Sequence, residues 1–196
     1  MVNGGGVDYA GFVFASSKRQ VTAEQAALLR QQLADTIGAV GVFVDAPVEE
    51  VAQLYRRGII QLMQLHGQED ATYIRQLRQL VGRAPIIRAV RVRTGQDILE
   101  AQALDCDYLL LDTYVPGVAG GSGRQFDYSQ IPPLEKPFFL AGGLHPDNVE
   151  QAVAMQPYAV DVSSGVETDG YKDVEKIRRF TEKVHAMAQE PSGIRR

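Results

Sequence analysis

Seven short apolar runs, separated by longer amphipathic stretches, recur from one end of the 196-residue chain to the other. They occupy residues 9–14, 39–44, 59–65, 86–92, 108–111, 138–141 and 159–162. Runs of this length suit buried strands. The stretches between them place apolar residues three and four apart, the period of a helix with one buried face. Thr22 and Gln25 have capping-box spacing, Pro47 suits a first helical turn, and Gly82 suits a stop. Further helices are predicted over about 70–81, 96–104, 146–155 and 173–187. Strands alternating with helices predict βαβ units and parallel pairing, leaving an open doubly wound sheet or a closed barrel. Regular spacing without a composition break favours the barrel. A (βα)8 barrel has ~250 residues, with ~200 as its lower end. The length and the seven strands therefore predict an α/β barrel of the TIM type with one unit absent. It forms a single domain over 1–188, and a frayed tail follows over 189–196.

Twenty basic and 24 acidic residues leave a formal charge of −4, with the signs mixed along the chain. No basic stripe is present to track a phosphodiester backbone, which argues against nucleic acid as a partner. No apolar run approaches the ~20 residues needed to cross a bilayer, so no membrane partner is expected. The first residues show no cationic segment followed by an apolar one, so no secretory signal is legible. A single cysteine, Cys106, excludes an intrachain disulfide and fits a reducing compartment. The expected location is cytoplasmic.

In a βα barrel the chemistry sits at the C-terminal ends of the strands and in the loops that follow. Those positions hold a polar set: Ser16, Ser17, Lys18 and Arg19, then Asp45, His66, Arg91 and Asp112, then Gly142-Gly143 and Ser163-Ser164-Gly165. The two glycine sites follow the last two strands, where this fold commonly binds phosphate. Backbone N–H groups reach an anion only where no Cβ intrudes. The same glycines also suit plain tight turns. Asp112 ends a Leu-Leu-Leu run. A carboxyl beside hydrocarbon is expected to have a raised pKa, as a general acid requires; a cap for the next loop is the other reading. Arg19 either grips a substrate carboxylate or phosphate in bidentate fashion or is a solvated loop charge, and spacing alone favours the second. His66 is a candidate lining residue. No second His or Cys lies at ligand spacing, so no metal is expected. His145 and His185 read as helix residues. Cys106 precedes its strand, which puts it at the far end of the barrel as a small core residue. Residues 115–123 are too rich in glycine to be anything but a loop.

The run of motifs resembles the phosphoribosylanthranilate isomerase family. The matching residues begin with Gly11-Phe12-Val13-Phe14, Ser17-Lys18-Arg19-Gln20-Val21 and Gly41-Val42-Phe43-Val44. Gln64-Leu65-His66-Gly67, Leu110-Leu111-Asp112-Thr113, Gly120-Gly121-Ser122-Gly123 and Phe126-Asp127 follow. Phe139-Leu140-Ala141-Gly142-Gly143-Leu144 and Asp161-Val162-Ser163-Ser164-Gly165-Val166-Glu167 complete the series, in family order, over about 8–183. The resemblance implies a (βα)8 barrel that catalyses an Amadori rearrangement without cofactor or metal. The implied substrate is N-(5-phosphoribosyl)anthranilate. The implied product is 1-(o-carboxyphenylamino)-1-deoxyribulose 5-phosphate. Asp112 matches the family's general acid and Arg19 the arginine at the anthranilate end. Gly142, Gly143, Ser164 and Gly165 match the phosphate site.

The family's first strand ends in Lys-Ile-Cys-Gly, and that cysteine is its general base. This sequence has no such motif. Its opening residues resemble the end of the family's first helix and the approach to its second strand, so the expectation is a chain lacking the first strand and most of the first helix, with Met1 an internal methionine or the beginning lost, a reading favoured over a true short product because unpaired apolar edges would be left. Weak activity follows from the missing base. The competing expectations are a phosphosugar-binding barrel without catalysis and a different sugar-phosphate isomerase. The Ser17-Lys18-Arg19 and Gln64-Leu65-His66-Gly67 motifs argue against the latter. Oligomeric state is not legible.

Overall fold

The computed structural model describes residues 2–113 and 127–189. Residues 115–123, the motif Gly120-Gly121-Ser122-Gly123 with Phe126, and all of the tail but its first residue lie outside the described residues. Seven parallel strands form one sheet whose neighbours in space are neighbours in sequence. They are β1 (Tyr9–Val13), β2 (Gly38–Phe43), β3 (Leu62–Leu65), β4 (Ile86–Val92), β5 (Tyr108–Thr113), β6 (Phe138–Leu140) and β7 (Ala159–Val160). Helices α1 (Ala23–Gln32), α2 (Val48–Arg56), α3 (Ala71–Val81), α4 (Gly95–Gln102), α5 (Val149–Val153) and α6 (Val174–Gln189) alternate with them, and the described residues between β5 and β6 hold no α-helix. The seven strands and the parallel pairing agree with the sequence reading.

Side-chain alternation sorts each strand onto two cores. Along β5, Leu109 and Leu111 join the large core between sheet and helices, with Phe43, Leu65, Ile86 and Leu140. Leu110 joins the small core inside the curl, with Val40, Leu62, Ile87, Ala89, Phe139 and Ala141. The sheet curls far enough to bring its ends together. The Tyr9 and Phe139 ring centroids lie 5.9 Å apart, and the Tyr9 and Tyr158 hydroxyls share a hydrogen bond of 3.0 Å. The N-terminal segment reaches the last helix, where Thr181 Oγ1 donates to the Gly5 carbonyl at 2.6 Å.

Local signals act where expected. The Thr22 hydroxyl accepts from the Gln25 amide while the Gln25 side chain accepts from the Thr22 amide, a complete capping box. Three elements differ from expectation. Ile59 and Ile60 are buried but precede β3, because the chain is still turning at Gly58 (φ +68) and joins the sheet only at Leu62. Helix α5 spans five residues, since 146–148 form its entry turn, where the Asn148 side chain accepts from the His145 amide. After β7 comes an antiparallel hairpin, β8 (Glu167–Thr168) with β9 (Tyr171–Lys172).

Candidate active site

The same alternation that fills the inner core aims the next residues of each strand into the mouth of the curl. Gln64 and His66 follow Leu62, Arg91 follows Ala89, Asp112 follows Leu110, and Asp161 follows Ala159. Arg91 and Asp112 are register partners on β4 and β5. His66 Nε2 lies 3.5 Å from Asp112 Oδ2. Its other nitrogen, Nδ1, is 3.0 Å from the Gln64 amide nitrogen. An amide N–H can only donate, so this contact makes Nδ1 the acceptor and turns an Nε2–H toward the Asp112 carboxylate. Of the three leucines before Asp112, only Leu110 shares its face, so less hydrocarbon borders the carboxyl than the run suggests.

A polar frame fixes the loop that carries His66. The buried Glu69 carboxylate accepts from the Asp45 amide at 2.9 Å and the Gly67 amide at 2.8 Å. Arg88 pairs with Glu69 at 3.4 Å and donates to the Leu65 and Gly67 carbonyls. Asp45 closes the frame by accepting from the Gln68 amide at 2.6 Å. Asp45, read from the sequence as a mouth residue, therefore serves the loop.

Asp161 keeps an exposed face while protein crowds its carboxyl at the mouth of the curl. That loss of bulk water raises its carboxyl pKa, and the Asp112 charge adds to the rise, while His66 and Lys172 oppose it. Sequence reasoning gave Asp161 no role. The available signal was its parity: it stands two residues past an inward-facing alanine at a strand's C-terminal end.

The two glycine sites meet. A Cβ on Gly165 would fall 1.8 Å from the Leu144 carbonyl oxygen, so the turn after β7 packs directly on the loop after β6. That loop holds two successive left-handed residues, Gly142 (φ +90) and Gly143 (φ +66). Ser164 opens a short 3-10 turn, Ser164–Val166, which Ser163 does not cap with its side chain. Close approach thus explains Gly165 whether or not an anion binds.

Arg19 is engaged: its Nε and Nη2 donate to the two Glu167 oxygens, each at 2.9 Å. These bonds hold the Glu167 carboxyl down to about 2, and a Lys172 contact assists. The reading of Arg19 as a solvated loop charge, which spacing alone favoured, is incomplete, because a partner 148 residues away is invisible to local spacing.

Cys106 lies just before β5, at the other end of the sheet, and is buried. Burial pushes its thiol pKa up. Lys136 Nζ donates to its carbonyl at 2.9 Å and lies 3.7 Å from the sulfur. This agrees with a structural cysteine. Among the described residues no group of three or more His, Cys, Asp or Glu is placed to hold a metal, and no helix is long and apolar enough to cross a membrane.

A family model described as N-(5'-phosphoribosyl)anthranilate (PRA) isomerase matches residues 1–183. The chain belongs to this family. A relative from Lachnoclostridium phytofermentans, named N-(5'-phosphoribosyl)anthranilate isomerase, is 46% identical over 194 residues, covering 92% of this chain and 88% of its own. The crystal structure of phosphoribosyl anthranilate isomerase from Thermotoga maritima superposes with a TM-score of 0.81 at 34% identity, over 93% of this chain and 90% of that one. A phosphoribosyl anthranilate isomerase complexed with reduced 1-(o-carboxyphenylamino)-1-deoxyribulose 5-phosphate gives 0.77 at 33%, over 93% and 90%. The curled sheet is thus a TIM-barrel sheet of the phosphoribosylanthranilate isomerase kind. Its single cysteine is not at the mouth.

Proposed function

We propose that the mouth of the curl binds N-(5-phosphoribosyl)anthranilate and belongs to the Amadori rearrangement that isomerises it to 1-(o-carboxyphenylamino)-1-deoxyribulose 5-phosphate. The observation that carries this reading is Asp112, aimed into the mouth with the His66 imidazole facing it. In the proposed reaction the Asp112 carboxyl protonates the furanose ring oxygen, the C1′–O bond breaks, and the anthranilate nitrogen supplies the electron pair of the resulting imine. A base then takes the C2′ proton, and the enolamine settles to the ketone. His66 lines the ring's path and holds Asp112 in place. The joined loops at Gly142, Gly143, Ser164 and Gly165 take the 5′-phosphate through backbone N–H groups. Arg19 contacts the anthranilate carboxylate. No cofactor or metal enters this scheme.

A second reading, a phosphosugar-binding barrel without turnover, is favoured by one observation. The only cysteine, Cys106, lies at the end of the sheet away from Asp112. Both readings are tested with the 196-residue chain by following conversion of substrate to product and, separately, binding of the reduced product. We expect binding with turnover near background. Turnover well above background would assign the base to another residue of this chain. Should that occur, Asp112→Asn is expected to lower kcat by about 10²–10⁴ with KM little changed, the usual worth of a proton donor. A variant turning over like the parent would remove Asp112 from the acid role.

A further inference from the structure

Glu167 and Arg19 come from opposite ends of the chain and meet on the mouth side of the sheet. The pairing is side-on: Nε and Nη2 of Arg19 face Oε1 and Oε2 of Glu167, each at 2.9 Å. A guanidinium carries five N–H donors in one plane. Side-on pairing uses the Nε–H and one Nη2–H. The two Nη1–H groups and the second Nη2–H remain, and they form a second fork at the end of the side chain. Exposure agrees with this division, since the Glu167 side chain is 10% exposed and that of Arg19 is 46%.

Glu167 is itself held at its side chain and at its carbonyl, and its hairpin is anchored besides. Lys172 Nζ lies 3.0 Å from its Oε1 and also donates to the Ser163 carbonyl at 2.8 Å. Lys176 Nζ donates to the Glu167 carbonyl at 2.7 Å. Thr168 Oγ1 donates to Asp173 at 2.7 Å, fixing the hairpin to the start of α6. Among the described residues Arg19 has, besides Glu167, its own loop, where its amide donates to Ser17 Oγ at 3.1 Å. The firm partner is the carboxylate and the guided partner is the arginine.

We infer that Glu167 is a positioning residue: it holds the Arg19 guanidinium side-on so that the terminal fork is presented to an aromatic carboxylate on the substrate. This rests on the placement of anthranilate at Arg19 proposed above and adds what aims that arginine. It also joins the two ends of the ligand mechanically, since Lys172 links Glu167 to Ser163, next to the loop assigned to the phosphate. The opposite idea, that Glu167 occupies Arg19 as a competitor the substrate must displace, makes a prediction of opposite sign.

The test is calorimetric binding to the full chain. One probe is reduced 1-(o-carboxyphenylamino)-1-deoxyribulose 5-phosphate, and the other is the same molecule without its carboxyl group. The parent is expected to prefer the carboxylated probe. In Glu167→Gln that preference should fall about tenfold, the scale of one charge-assisted bidentate contact, while affinity for the other probe stays within about twofold. Lys172→Met, which loosens Glu167 without touching Arg19, should shift the preference the same way by less, and it serves if the glutamine variant fails to fold. Unchanged preference overturns the inference, and so does an equal loss for both probes. Tighter binding of the carboxylated probe overturns it in favour of competition. A parent chain that binds neither probe overturns the substrate assignment itself and the inference with it.

Discussion

Asp161 shows how one carboxyl at the mouth of the curl can set a pH dependence. Its pKa in the folded chain is raised, chiefly by loss of bulk water. An unfolded aspartate titrates near 3.9. Below that value both states are protonated and the group is neutral to stability. As pH rises through the folded-state value the chain must either ionise Asp161 in place or unfold, so stability is lost. Asp161→Asn is therefore expected to raise the melting temperature at about pH 7 and leave it unchanged near pH 3. Paired melts across that range check this; equal midpoints at neutral pH would remove the penalty from Asp161. At this scale, residues whose role follows from position on one strand were legible. Asp112 and His66 were found because each ends an apolar run. The frame around His66 was not, because Glu69, Asp45 and Arg88 come from three separate strand–helix units. The Arg19 partner was hidden for the same reason.

At the scale of elements, apolar runs marked every strand of the sheet, most strongly the central ones, which are buried on both faces and need continuous hydrocarbon. The hairpin β8–β9 was passed over, since its strands are two residues long and mostly exposed. Its signal was present nonetheless. Asp169 (φ +52) and Gly170 (φ +83) form an Asp-Gly turn between Thr168 and Tyr171, and both central residues need positive φ. Gly170→Ala meets no neighbour within 4 Å, so its cost is conformational alone. We expect about 1 kcal/mol of destabilisation, or a melting point lower by roughly 2–4 °C for a domain of this size. A melting point unchanged within error would mean the turn can adopt another form.

Across the whole molecule, consecutive pairing makes the sheet a series of local contacts, and its described ends, β1 and β7, have no strand partner beyond them. Central strands β3 to β5 pack the most deeply buried side chains, among them Met63, Leu65, Ile86, Leu109 and Leu111. Native-state hydrogen exchange is expected to show the strongest protection in β3–β5 and the weakest in β1 and β7, with opening free energies differing by several kcal/mol. Uniform protection across all seven strands would show that the ends are bound as tightly as the middle. The order of the strands was readable from the sequence because a right-handed βα series permits little else. How closely the sheet would curl was not, since Tyr9 and Tyr158 lie 149 residues apart and no local pattern marks their contact.

The Arg19–Glu167 pair has a consequence for how the chain reaches this state. It closes a loop of 148 residues, a step whose entropy cost grows only slowly with loop length but which no local contact prepares. Strands that zip onto one another in sequence order bring these two groups within reach last. The seam they share is then expected to close late in folding. In acid, as pH falls from the normal glutamate range toward about 2, Glu167 takes up a proton and the seam loses its charge attraction.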